Sequence, residues 1–323
     1  MSWKKDFTGR KNRFFVFGLI VLFLFSVVGC SSNTPQENAS NNSAPVQVKA
    51  MDKELEAYYV DNAWLKENLN NVIILDARTE KEYKKGHVPG ALNVTWQSLS
   101  NMEPKQGEVG WGVVLPFDQL EKKIGDLGID GSKRVVVYND PAGLAEDGRV
   151  MWMLNLAGLD DVRMLFGGWP AWQKAGGEIN QEVPVVTPVS FKITNPDNSL
   201  IATTEYIKTN KVNIKLVDAR SPEEYKGETN HGEKAKGHIP GAIPLCFRDT
   251  YNDDGSIKTV AELKSMFEKA GLSPDDDIVT YCTVGIRSGY LAEVLRMCGY
   301  TKAKNYNASF SEWSGDPKNP VEK

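Results

Sequence analysis

Cysteine, histidine and net charge are all scarce in this chain, and each shortage removes a class of function. Four cysteines are too few for a disulfide framework. Three histidines, two of them in matching turns, leave too few ligands for a metal site. The formal net charge is only −4 and no basic stripe is present, which argues against a nucleic-acid partner. Long apolar runs are missing too, with one exception at residues 14–28. Only Gly18 and Ser26 interrupt that run, and it falls short of the roughly 20 residues that a spanning helix needs.

The run follows a basic segment of Lys4, Lys5, Arg10, Lys11 and Arg13, and it ends in Val27-Val28-Gly29-Cys30. This pattern resembles a bacterial lipoprotein leader, whose cysteine is lipidated and becomes the mature N-terminus. Residues 1–30 are therefore expected to be a signal peptide. Acyl chains on Cys30, each buried CH₂ contributing about 0.8 kcal/mol, would hold the chain on a membrane. An uncleaved spanning helix is the alternative that the length disfavours. The expected location is extracytoplasmic, on the cell membrane, or on the outer membrane if the host has two. Residues 31–50 are rich in Ser, Asn, Pro and Gln and read as a flexible tether. With Cys30 lipidated, Cys246, Cys282 and Cys298 remain, and an odd number leaves at least one thiol free or paired with another chain.

The rest of the chain contains one module twice. Ile74-Leu75-Asp76-Ala77-Arg78 recurs as Leu216-Val217-Asp218-Ala219-Arg220. Each copy continues with Glu-Tyr (Glu82-Tyr83, Glu224-Tyr225) and then Gly-His-x-Pro-Gly-Ala, from Gly86 and from Gly237. The separations from Asp76 to Asp218, Tyr138 to Tyr281 and Trp172 to Trp313 agree to within two residues. Duplication explains that agreement. The two histidine motifs are further apart, because the second copy carries about nine extra residues around 226–234. Short apolar runs at 72–75, 135–138, 214–217 and 277–281 read as buried parallel strands. Stretches 117–127, 260–270 and 288–297 read as helices, with Gly128 and Gly271 as C-caps of the first two. Alternating strands and helices predict an α/β fold: two tandem domains, each a parallel β-sheet with helices on both faces. The domains are placed at 51–180 and 201–320, joined by a Pro-rich linker at 181–200.

Cys282 stands between the end of one such strand and the start of the last helix. The loop Thr283-Val284-Gly285-Ile286-Arg287 follows it. Backbone N–H groups turned inward as a nest, a helix N-terminus and the Arg287 charge all favour thiolate over thiol. The same cradle would hold a persulfide, whose outer sulfur is also anionic. With the Asp-Ala-Arg strand end, the Gly-His-x-Pro-Gly-Ala turn, the Cys-x4-Arg loop and the Trp-ended segment together, both copies resemble the rhodanese family. The resemblance covers nearly all of the mature chain and implies two tandem rhodanese-like domains. It implies a sulfurtransferase of the thiosulfate or 3-mercaptopyruvate type, in which Cys282 takes sulfane sulfur from a small anionic donor. The acceptor would be cyanide or a thiol, and no cofactor is implied. The extra residues from Lys226 onward resemble the insertion in the catalytic half of two-domain members. By the same match, Arg220 and Arg287 are expected to bind the donor. Thr283-Val284 match neither the Cys-Arg-Lys-Gly nor the Cys-Gly-Ser-Gly pattern of the two donor classes, so the loop does not choose between them. In the first copy Asn139 aligns with Cys282, and residues 140–148 precede Arg149. That half cannot form a persulfide and is expected to be structural.

Other chemistry-bearing residues read as structural. His87 persists where the thiol is lost, so His87 and His238 are assigned to turn support in preference to a general base. Cys246 could resolve a persulfide with Cys282 or pack as core, and base rates favour core; Cys298 reads as buried. A phosphatase of related fold needs five residues between Cys and Arg, and here there are four. The rival from another class is a membrane-tethered sulfur carrier or binding module with little turnover, since fold alone does not fix function.

Overall fold

The structure is a computed structural model and describes residues 50–323. The leader, Cys30 and residues 31–49 of the tether lie outside the described residues. No helix among the described residues is long and apolar enough to cross a membrane. The described residues form one compact unit.

Two five-stranded parallel sheets carry the fold. The first half contains β1 (Tyr59–Val60), α1 (Asn62–Asn68), β2 (Ile73–Asp76), α2 (Glu80–Lys85), β3 (Leu92–Asn93), α3 (Phe117–Asp126), β4 (Val135–Tyr138), α4 (Glu146–Leu156), β5 (Val162–Leu165) and α5 (Gly168–Lys174). The second half repeats them as β6 (Ile201–Ala202), α6 (Thr204–Asn210), β7 (Ile214–Asp218), α7 (Pro222–Tyr225), β8 (Ile243–Pro244), α8 (Val260–Lys269), β9 (Asp277–Tyr281), α9 (Ile286–Met297), β10 (Lys304–Tyr306) and α10 (Ser309–Gly315). The strand orders match, β1-β5-β4-β2-β3 and β6-β10-β9-β7-β8. The central strands fall where the apolar runs predict them. Both helices expected to end at a glycine do so, with Gly128 and Gly271 at positive φ.

Side-chain alternation divides each sheet's residues between two cores. On β4, Val135 and Val137 enter the core shared by the two halves, while Val136 and Tyr138 enter an outer core beneath α1 and α5. On β9, Ile278 faces the shared core, and Val279 and Tyr281 face the outer core beneath α6 and α10. The parallel sheets are thus covered on both faces, as apolar strands of this kind require. The shared core joins Trp152, Met153 and Leu156 of α4 to Tyr290, Leu291 and Val294 of α9. Those two helices form the central contact between the halves and are buried on nearly every side. A Cβ on Gly148 would sit 2.5 Å from the Cβ of Tyr290, so glycine is what permits this approach.

The Pro-rich segment between the halves lacks regular structure over most of its length, but it is tied down. Val189 donates its N–H to the Gly125 carbonyl, Asp197 to that of Leu156, and Asn180 pairs with His87. Burying two polar helices in this way leaves costly carboxyls behind. Burial pushes Asp147 up to about 7, and Glu293, which accepts from Asn155 across the interface, also up to about 7. Both folded values lie above the unfolded ones. The stability these groups contribute is therefore full below pH ~4 and is lost as pH rises through 7. Asp147→Asn and Glu293→Gln should each gain on the parent between pH 5 and pH 8, by about 1–2 kcal/mol. Denaturant unfolding at the two pH values measures this, and an unchanged gap would refute the assignment.

Candidate active site

Cys282 leaves the C-terminal end of β9 and is 1% exposed. Its backbone is pinned on both sides: the carbonyl accepts from Phe310 N–H at 3.0 Å, and the N–H donates to Ser309 Oγ at 3.2 Å. Ser309 has a positive φ of 56°, an uncommon conformation for a side chain with a Cβ. In the first half Gly168 occupies the matching position with φ 58°. The second half keeps a serine there whose hydroxyl holds the cysteine's backbone.

The loop then curls around the sulfur. Gly285 N–H donates to Cys282 Sγ at 3.2 Å. Gly285 has φ 84°, and a Cβ there would lie 2.4 Å from the Asn307 carbonyl oxygen. No other residue fits that turn without moving backbone. Burial alone would raise the thiol's pKa. The charge of Arg287, the Ser288 hydroxyl and the N–H groups of Ser288 and Val284 outweigh it, and Cys282 lies below the ordinary thiol value. The local arrangement is a nest around an anionic sulfur.

Arg287 is not free to reach solvent. Its two terminal nitrogens bind Glu224 in a fork, at 2.6 and 2.8 Å, and the second also donates to Thr283 Oγ1 at 2.8 Å. Burial raises Glu224, but the hydrogen bonds and charge of Arg287 prevail and hold its carboxyl down to about 2. Thr283 in turn donates to Glu233 Oε1 at 2.8 Å, and the insertion that carries Glu233 thereby closes onto the loop. The first-half counterpart Glu82 is exposed and merely accepts from Thr79. Glu224 and Glu233 escape a reading of the sequence. The available signal was the Ser221-x-x-Glu224 capping box, which both residues complete in the structure.

Arg220 stands behind the loop, with Nη1 3.7 Å from Glu233. It forks onto Asp218 at 2.7–3.1 Å, donates to the Gly237 carbonyl at 2.7 Å and stacks over Phe310 at 4.2 Å. Arg78 repeats this clasp with Asp76, Gly86 and Trp169 in the half that has no thiol. With the guanidinium so committed and buried, the placement fits turn support and offers no open face to a donor. The histidines also sit in turns. His87 stacks on Tyr83 at 3.8 Å and reaches the carbonyls of Tyr83 and Glu182. His238 stacks on Tyr225 at 3.7 Å and reaches the Tyr225 carbonyl.

The first half supplies a wall. Its segment around 101–114 lies against the loop: Val114 N–H donates to Asn307 Oδ1, Gly110 N–H to Glu312, and Gln106 to the His231 carbonyl. Cys246 is half-buried and Cys298 buried; both are free thiols with pKa values raised by burial, Cys298 up to about 12. At Cys246 burial outweighs the nearby charges of Arg287 and Arg248.

Residues 61–175 and 203–316 each match the rhodanese-like domain. The sulfur carrier protein TtuD of Thermus thermophilus is 31% identical over 283 residues, which are 82% of this chain and 96% of that protein. A thiosulfate sulfurtransferase of Pseudomonas aeruginosa is 32% identical over 257 residues, 78% of this chain and 91% of that one. Among solved structures, an anaerobic ergothioneine biosynthesis enzyme from Chlorobium limicola, in complex with trimethyl histidine, superposes with a TM-score of 0.74 at 25% identity. That match covers 85% of this chain and 72% of the other.

Two substitutions test the loop. Arg287→Met leaves Glu224 buried and unpaired, which should cost about 3–5 kcal/mol, and should move the Cys282 thiolate midpoint upward. Gly285→Ala should abolish the Sγ contact and cut iodoacetamide alkylation at pH 7 by about tenfold or more. Alkylation rates equal to the parent's in both folded variants would refute this account of the cradle.

Proposed function

The chain belongs to the rhodanese-like family, and within a sulfurtransferase role we propose that Cys282 is the nucleophile that carries sulfur as a persulfide. The observation that carries this reading is the cradle: an N–H on Sγ, a helix start behind it, and a buried arginine beside it. A small anionic donor, thiosulfate or 3-mercaptopyruvate, delivers the sulfur that becomes the outer, sulfane sulfur on Cys282; from 3-mercaptopyruvate the C–S bond breaks and the electron pair leaves on the enolate of pyruvate. With thiosulfate, the thiolate attacks the outer sulfur, a new S–S bond forms, the donor's S–S bond breaks, and sulfite leaves with the electron pair. The persulfide anion then occupies the cradle that held the thiolate. Cyanide or a thiolate attacks the outer sulfur, takes it, and returns the Cys282 thiolate. The protein-bound charge stays, as thiolate or persulfide, on a sulfur that the loop stabilises in both steps.

The second reading is a sulfur carrier with little turnover, and the likeness to the carrier of Thermus thermophilus favours it. Location belongs to the proposal as well: the basic segment, the apolar run and Cys30 support an extracytoplasmic protein held on a bacterial membrane by lipid.

The full chain and its Cys282→Ser variant, each incubated with thiosulfate or 3-mercaptopyruvate, decide between the readings. Intact mass should show one added sulfur on the parent and none on the variant, and cyanide should release thiocyanate over many turnovers. A single stoichiometric release would favour the carrier. No added sulfur from either donor would end the persulfide proposal.

A further inference from the structure

Arg149 stands in the half that has no thiol, on the first turn of α4, and is wholly buried against the other half's loop. Its Nη1 donates to the Gly285 carbonyl at 3.2 Å, and its Nη2 donates to the Gly112 carbonyl at 3.2 Å and to Asn307 Oδ1 at 2.6 Å. The guanidinium lies 4.6 Å from the Trp152 ring, and Nε has no partner. Every acceptor it uses is neutral. A buried guanidinium with neutral acceptors is costly, and packing gives no account of it, since an apolar side chain would fill the same space.

Four charged groups surround the Cys282 loop. Arg287 belongs to the loop's own helix, Glu224 and Glu233 stand behind Thr283, and Arg149 approaches from α4. Arg287 acts on the sulfur while forked onto Glu224, and Glu233 lies 3.7 Å from Arg220. The positive charge that no bonded carboxylate cancels is the one from the opposite half. It also grips Gly285, whose N–H touches the sulfur.

We propose that Arg149 is a positioning residue for sulfur transfer, through which the half without a thiol fixes the Gly285 turn and adds a second positive charge to that of Arg287 in favour of an anionic sulfur on Cys282. The proposal rests on the reading of Cys282 as the sulfur-carrying nucleophile. Burial presses Arg149 down to about 9, and the Cys282 thiolate is the charge that opposes this. By reciprocity the guanidinium stabilises the thiolate by the same interaction. A persulfide, equally anionic and held in the same nest, gains alike.

The test reads the pH dependence of Cys282 alkylation in the full chain, with Cys246 and Cys298 followed by peptide mass. Arg149→Met should raise the thiolate midpoint by about one unit, hence about tenfold slower alkylation below it. Arg149→Lys, which keeps the charge, should recover most of that loss. Asn307→Asp keeps the acceptor for Nη2 but brings a carboxylate to the guanidinium, and should raise the midpoint in a protein that still folds. A purely structural arginine would lower thermal stability in Arg149→Met and leave both midpoints where they were. Unshifted midpoints in the folded variants overturn the proposal, and if Arg149→Met does not fold, Asn307→Asp decides alone. A parent that gains no sulfur from donors, yet shows these shifts, would fail the persulfide reading and keep Arg149 as support for the thiolate.

Discussion

The packing of α4 against α9 is the contact on which the rest of the molecule depends. Each helix follows the central strand of its own sheet, and each begins beside the loop that the other half must recognise. Because both are buried on nearly every side, neither sheet can close its inner face alone. Apolar area buried between the halves, at about 25 cal/mol per Å², is then part of folding itself. The approach at Gly148 and Tyr290 brings the start of α4 beside the start of α9. That is where Cys282 lies, so its loop is an interface feature before it is a chemical one.

Arginine side chains cross that interface in both directions. Arg149 enters the second-half loop and binds the Gly285 carbonyl. Arg248 enters the first-half loop and binds the carbonyls of Pro141, Ala142 and Gly143 at 2.6–2.8 Å. The two loops occupy equivalent places after β4 and β9, but they present opposite polarity. The second-half loop turns N–H groups toward a sulfur, and the first-half loop turns carbonyls toward a cation. Asn139, in the cysteine's place, donates to Glu146, whose carboxylate also accepts from Leu144 N–H.

How much of this could be read from the sequence follows from the range of each interaction. Strand positions, helix ends and the duplication itself rest on local patterns and repeated motifs, and β4 and β9 fall where the apolar runs place them. The Cys282 loop was legible because its parts are consecutive. Glu224 and Glu233 were not, since each meets the loop across 50 or more residues, and a capping glutamate on a helix surface looks the same whether exposed, like Glu82, or buried. Arg149 is the extreme case, 136 residues from Gly285. In the sequence it is only the arginine that follows the longer first-half loop, whereas its side chain points into the other half. Arg220 misled in the opposite sense. Its recurrence as Arg78 was the clue to a turn clasp, because a residue present in both halves cannot by itself account for a chemistry possible in one.

The division of labour between the halves follows from electrostatics more than from a missing atom. An anion cradle needs N–H groups directed at the sulfur's place; in the first-half loop the Leu144 N–H turns to Glu146 and the carbonyls turn to Arg248. Arg149 binds no carbonyl of the first-half loop and reaches the neighbouring one. Two copies of one module thus reach an arrangement that neither could hold singly. One half provides the sulfur and the nest, and the other provides the wall, the buried cation and the helix against which the nest is built.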